Sequence, residues 1–529
     1  MKKYLTHLKS DFPSSIVVFL IALPLCLGIA IASNAPAFSG IIAGIVGGIV
    51  VASISKSPLS VSGPAAGLTA IVAAAVLSIG SFQSFLAAVV ICGILQLLFG
   101  IFKAGDIGSY VPSSVIKGML TAIGLILIIN QFPLLVGYQV INNNGTTPEN
   151  NIFINLFHSF KNINHTAATI GFICLLLYFF LEKFLQNKNG YSKLIPIPLI
   201  IVFVAVLLNG ILPNALQGNN LVTIPVANNF NDFIGFFNVP DWNSFLNKEV
   251  VLTGVTLAIV ASLETLLSIE AIDNIDTKKR RTPANRELKA QGVGNIISGL
   301  IGGLPITSVI VRSSANANAG AKSKMSAILH GVLLLLCVAF IPFVLNIIPK
   351  AALAAILIFT GYKLAKPAIF KALYRKGFDQ FIPFLITIIA ILATDLLRGV
   401  LIGIVFGIFF IIRNNYLTTV FIVNDRNKYL FRLRKDISFF NKANLKKSLN
   451  KIPQGSYVLF DITRADFIDK DIIELIEEFY KNAPQKLIYV DLKYNNLKQH
   501  GLNISLIENI GIERIKQGLK PNFELVENN

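Results

Sequence analysis

The sequence predicts an α-helical polytopic membrane protein with about fourteen transmembrane segments, followed by a small cytoplasmic α/β domain. Three observations predict it. Of 529 residues, 54% are hydrophobic and only 14% are charged, whereas soluble domains carry about 25% charged residues. Apolar runs of roughly 20 residues, the length a helix needs to cross a bilayer, recur at 14–33, 84–102, 166–184, 250–272, 325–345 and 399–412. Lysine and arginine gather in alternate loops: Lys2, Lys3 and Lys9; Lys56; Lys103 and Lys117; Lys188 and Lys193; Lys278, Lys279, Arg280 and Arg281; Lys322 and Lys324; Lys371, Arg375 and Lys376. The loops between hold only Lys161, Lys248, Lys350 and Arg398. That asymmetry is the positive-inside pattern, and it puts both termini in the cytoplasm of a cell's inner (plasma) membrane.

Each stretch has its own justification. Lys2, Lys3 and Lys9 before an apolar run, with Ala30 and Ala32 after it, resemble a signal peptide, but a second apolar run follows so closely that a hairpin of membrane helices is simpler. The weak ten-residue alternation of an outer-membrane barrel is absent. Polar loops at 137–165 and 211–249, the latter holding Trp242, read as solvated linkers with at most a small cap. After Arg413 the composition turns ordinary. KYLFRLRKDISFF, GSYVLFDITRADFI and KLIYVDLKYN read as strands, KANLKKSLNKI and DKDIIELIEEFYKNA as helices, so the sheet should be partly parallel. The expected division is a membrane domain over 1–425 and a cytoplasmic domain over 426–529.

Several function classes drop out. The net charge of +18 is spread over alternate loops rather than one face, so a nucleic-acid partner is not expected. Cys26, Cys92, Cys174 and Cys337 each lie inside an apolar run, with no CxxC pair, and five histidines are scattered. No cofactor is implied, no certain metal site emerges, and no nucleophile–base pair or nucleotide loop suggests an enzyme.

A repeat points to the chemistry. IIAGIVGG at 41–48 matches IISGLIGG at 296–303, and each octet precedes an interrupted, β-branched stretch and then small residues: SKSPLSVSGPAAGLTAI and LPITSVIVRSSANANAG. Paired Gly/Pro-interrupted segments in two halves mark a transporter's binding site. A chain that enters the bilayer extended and then turns helical leaves a helix N-terminus at mid-membrane, with unpaired amides and roughly half a positive charge. Two such ends make an anion site from backbone alone. Pro64 suits a first helical turn, and Gly63, Ala65, Ala66 and Gly67 are small enough to let an anion approach; close helix packing is the plain alternative. Arg312 heads the second such helix. An arginine there costs at least about 2.5–3.5 kcal/mol on insertion scales, so it needs a purpose: holding an oxyanion through two parallel hydrogen bonds, pairing with Glu264, or snorkelling. Glu264, in an apolar helix with Ser268 one turn on, is placed to take Na+ or H+ as a coupling ion, or to pair with Arg312.

DFPSSIVVFLIALPLCLGIAIAS, SPLSVSGPAAGLTAIV, ASLETLLSIEAID, NRELKAQGVGNIISGLIGGLPITSVIVRSSANANAG and the terminal α/β region, in that order, resemble the sulfate permease family (SulP, related to mammalian solute carrier family 26). The resemblance implies two inverted seven-helix repeats, a core domain moving against a gate domain, a homodimer, and a terminal domain of the STAS type. By position it puts the anion site on Leu25, Ile29, Ala65, Ala66, Val311, Arg312 and Ser313, and the acidic residue on Glu264. Leu25 stands where many relatives carry glutamine, and Ile310 where a threonine would assist Na+. No serine stands in Phe467-Ile468-Asp469-Lys470 where regulatory relatives are phosphorylated. The expectation is secondary transport of a small inorganic anion, sulfate or bicarbonate, by alternating access. The alternatives are a dicarboxylate or nucleobase carrier of the same fold, or an anion sensor signalling through the STAS-like domain.

Overall fold

The computed structural model describes residues 7–105, 111–138, 152–186, 196–227, 229–394, 396–418 and 420–493. Lys2, Lys3, Lys188 and Lys193 and residues 139–151 of the 137–165 loop lie outside the described residues, and the rest of that loop includes a helix, Ile152–Lys161. Two compact units form, Met1–Val405 and Phe406–Asn529.

The principal helices are α1 (Leu8–Ala32), α2 (Ala37–Val46), α3 (Thr69–Ile79), α4 (Phe82–Ile101), α5 (Ser113–Leu135), α6 (His165–Gln186), α7 (Ile197–Ile211), α8 (Lys248–Ile275), α9 (Ala284–Leu300), α10 (Ile310–Asn318), α11 (Met325–Phe340), α12 (Lys350–Leu364), α13 (Phe378–Ala393) and α14 (Leu396–Thr418). Among the described residues eight helices are long and apolar enough to cross a membrane, and α7, α11 and α13 are shorter but apolar. Their ends follow local chemistry. Ser81 caps α4 by accepting from the Ser84 N–H, and Asn247 caps α8 by accepting from the Glu249 N–H. Gly80, at φ 78°, closes α3 in the left-handed conformation that glycine adopts without a Cβ clash.

Small residues set the tightest contacts, as expected where lipid gives helices no hydrophobic drive to associate. A Cβ on Gly292 of α9 would lie 2.6 Å from the Leu97 nitrogen of α4, and one on Gly124 of α5 would lie 2.5 Å from the Gly361 carbonyl of α12. In both pairs backbone meets backbone. The 211–249 loop does more than link: Phe233, Phe236 and Phe237 surround the Phe38 ring, with centroids 5.7–6.3 Å away.

Two three-residue strands interrupt the helical fold: β1 (Ser62–Pro64) and β2 (Ile306–Ser308). They pair antiparallel, Ser62 opposite Ser308 and Pro64 opposite Ile306. Side chains of α9 hold both. The Asn295 amide accepts from the Ile306 N–H at 2.6 Å and donates to the Ile306 carbonyl at 3.0 Å, standing in for a third strand, while Gln291 donates to Ser62 Oγ at 2.8 Å. Pro64 ends β1 rather than opening a helix; the following helical turn starts two residues later, at Ala66.

The second unit contains a sheet in the order β3 (Val420–Asp425), β4 (Lys428–Ile437), β5 (Tyr457–Ile468), β6 (Tyr489–Lys493). β3 is antiparallel to β4; the other pairings are parallel. Helices α15 (Lys442–Leu449) and α16 (Lys470–Asn482) make the crossovers, and Phe431, Leu433, Val458, Phe460, Ile472, Ile476 and Tyr480 form the core. Buried Asp461 accepts from Arg432 Nε at 2.8 Å and from Thr463 Oγ1 at 2.6 Å. Burial alone would raise its pKa, but these hydrogen bonds and the Arg432 charge outweigh burial and hold the carboxyl below its ordinary range.

Candidate functional site

Both interrupted segments change conformation at one residue. Ala65 is extended (φ −98°, ψ 127°), and the chain then winds through a 3-10 turn, Ala66–Leu68, into α3. Val309 is extended (φ −110°, ψ 115°), and α10 starts at Ile310. Because β1 and β2 are antiparallel, the two helices leave opposite ends of the ribbon. Their N-terminal ends therefore face each other across three residues of paired strand, on the order of 10 Å. Val309 donates to the Val61 carbonyl at 3.0 Å, and the first helical bond of α10 runs from the Ser313 N–H to the Val309 carbonyl. The amides of Ile310, Val311 and Arg312 are thus left without helical partners.

The residues expected at the site fall into two groups. Ala66, Ile310, Val311 and Glu264 are half-buried, whereas Leu25, Ile29, Gly63, Ala65, Arg312, Ser313 and Ser268 are buried. Ser313 is committed within the fold: its hydroxyl accepts from the Val61 N–H at 2.9 Å and donates to the Val309 carbonyl at 2.8 Å. The small residues admit the protein's own charges. A Cβ on Gly67 would lie 2.9 Å from either oxygen of the Glu264 carboxylate, which rests against the Gly67 backbone. Glu264 therefore places its negative charge on the opening turn of α3, where the helix dipole favours it. A Cβ on Gly63 would collide with Arg312 Nη1.

Arg312 is wholly buried, and none of its three guanidinium nitrogens has a hydrogen-bond partner. Glu264 Oε2 is also unpartnered, so the two do not form the ion pair that their types allow. The guanidinium lies against Gly63, which packs beside Gly44, with Cys26 and His330 near enough to feel its charge. Sequence reasoning missed Cys26, Gly44 and His330. The octet IIAGIVGG carried the signal: Gly44 makes room for Cys26 Sγ, Gly47 for the Ser62 carbonyl of β1, and Gly48 for Gly331 of α11. Gly47 also opens a π turn, Gly47–Val51, that prolongs α2 toward Ile54; such turns often accompany functional sites.

Comparison with known proteins gives the same outline. The model of the sulfate permease family matches residues 8–389. A sodium-independent sulfate anion transporter of Bos taurus is 24% identical over 513 residues, 90% of this chain and 82% of its own. The bicarbonate transporter BicA of Picosynechococcus sp. is 25% identical over 366 residues, 67% of this chain and 61% of its own. Among solved structures, the overall structure of SLC26A9 superposes with a TM-score of 0.73 at 16% identity, covering 98% of this chain and 88% of that one. The transmembrane domain of a cyanobacterial BicA gives 0.63 at 20% identity, covering 76% and 97%. These likenesses extend to the fold: a helical membrane body and a C-terminal α/β domain.

Proposed function

Since the chain belongs to the sulfate permease family, we propose that it is a secondary active transporter of small inorganic anions, sulfate or bicarbonate, working by alternating access. The observation that carries this reading is the β1–β2 ribbon, which sets two helix N-termini facing each other with partnerless amides beside an uncompensated guanidinium. Fixed donors and a buried positive charge favour an anion over any neutral or cationic solute. In this reading the amides of Ala66, Ile310 and Val311 contact the anion, Arg312 supplies charge from behind Gly63, and Leu25, Ile29 and Ala65 wall the pocket. Ser313 holds the α10 end in place.

Glu264, with Ser268 one turn away, takes the coupling ion, Na+ or H+. A carboxylate already resting on one helix end competes with an arriving anion for the same amides. Loading a cation on Glu264 weakens that competition, which links the two fluxes. Uptake against a negative-inside potential needs such a link, because each uncompensated charge costs about 2.3 kcal/mol per 100 mV. The carrier part precedes β3, and the STAS-like part, expected from 426, takes in β3 at its start; the protein sits in the plasma membrane as a homodimer with both termini cytoplasmic.

The test is uptake into proteoliposomes of labelled sulfate and bicarbonate, competed with nitrate, chloride and succinate, with and without Na+ and a pH gradient. Saturable sulfate or bicarbonate uptake is expected. Anion binding without flux would make the protein a sensor instead.

A further inference from the structure

Arg312 poses a problem that the proposed transport does not by itself answer. A desolvated guanidinium in protein attracts any carboxylate or carbonyl within reach, yet here it has neither. The lining explains why. Cys26 Sγ from α1 fills the space over Gly44, which a Cβ would enter at 2.8 Å, and Leu334 of α11 closes the same gap at 2.9 Å. Gly44 and Gly63 add no side chain. His330 is fully buried on α11, with Nδ1 3.2 Å from the Ala327 carbonyl of its own helix and Nε2 without a partner. The thiol lies beside the guanidinium as a weak acceptor, and no guanidinium nitrogen has an oxygen or nitrogen partner. Cys26, Gly44, Gly63 and Leu334 bring no charge and no strong acceptor to the corner, and the one good acceptor, His330 Nε2, makes no hydrogen bond to the guanidinium.

We infer that Cys26 and His330 are positioning residues that keep Arg312 without a counter-ion, so that its whole charge acts through the thin Gly63 backbone on the transported anion. This rests on the anion-carrier reading above. A sulfur is large enough to exclude water from the corner and accepts hydrogen bonds weakly. An oxygen acceptor at the same place would hold the guanidinium, and a carboxylate would neutralise it.

The test is a series at one position in the full chain, reconstituted in proteoliposomes. Cys26→Asn offers an acceptor without charge and raises KM a few-fold. Cys26→Asp, nearly the same size as asparagine, supplies a counter-ion and raises KM by about tenfold or more, the scale of a nearby charge in a partly screened interior. Inserted Cys26→Asp protein with wild-type KM overturns the inference, as does Cys26→Asn matching Cys26→Asp. If Cys26→Asp does not insert, wild-type KM for Cys26→Asn overturns it as well. Wild-type protein that moves no anion overturns the carrier reading and this inference with it; an active wild type paired with an indifferent Cys26→Asp overturns the inference alone.

Discussion

Replacing Arg312 with methionine should make the substrate-free protein more stable while abolishing transport. The side chain is entirely buried and its three nitrogens have no partner, so the empty protein carries the desolvation cost of a full charge without the pairing that normally offsets it. That cost is several kcal/mol, and replacing buried ionic groups by apolar ones of similar volume often stabilises by about 1–4 kcal/mol. Methionine fills the space of the aliphatic stem and adapts to irregular space, so it leaves a smaller cavity than truncation to alanine, whose penalty is about 2–5 kcal/mol for large side chains. Unfolding by heat or denaturant in detergent without sulfate should place Arg312→Met above wild type. Added sulfate should raise the wild type by mass action and leave the variant unmoved. A variant destabilised by more than about 1 kcal/mol in the absence of anion would falsify the idea of an uncompensated charge, since so large a loss implies a broken pair.

Three further outcomes can be checked. Glu264→Gln should leave anion exchange intact but remove its response to imposed Na+ or pH gradients; full gradient dependence in the variant would end the coupling proposal. Gly47→Ala should cost about 1–3 kcal/mol and sharply slow uptake, because its Cβ would press on the Ser62 carbonyl and approach Gly63 N at 2.8 Å, pushing β1 from its partner; thermal unfolding and uptake read both effects. Asp461, whose folded pKa is depressed, adds stability above its unfolded pKa that is lost as pH falls through the folded value. Asp461→Asn should therefore cost about 2 kcal/mol near neutrality and flatten the acid side of the small domain's stability curve; an unchanged slope assigns the acid sensitivity elsewhere.

Much of the fold was legible because lipid imposes a simple code of apolar length. The interrupted segments were legible for the same reason, since Gly and Pro stand out in a helix. What stayed hidden depends on partners far apart in sequence. Gly67 looks like an open door in the sequence, yet Glu264, 197 positions later, occupies it. Arg312 left oxyanion binding, pairing with Glu264 and snorkelling open, and only the packing around it shows that it is buried without pairing to Glu264. β3 was missed because most of its side chains are exposed, so burial left no alternation to read. Pro64 was assigned to a helix from a propensity that the strand pairing overrides.

The ribbon between β1 and β2 has a mechanical consequence. Its two strands come from points 244 residues apart, and Asn295 and Gln291 clamp one strand each. Whatever tilts one short helix must drag the other along. The cargo would travel as luggage fixed to a single moving block, and the barrier to crossing would lie at that block's sliding edges rather than between its two jaws.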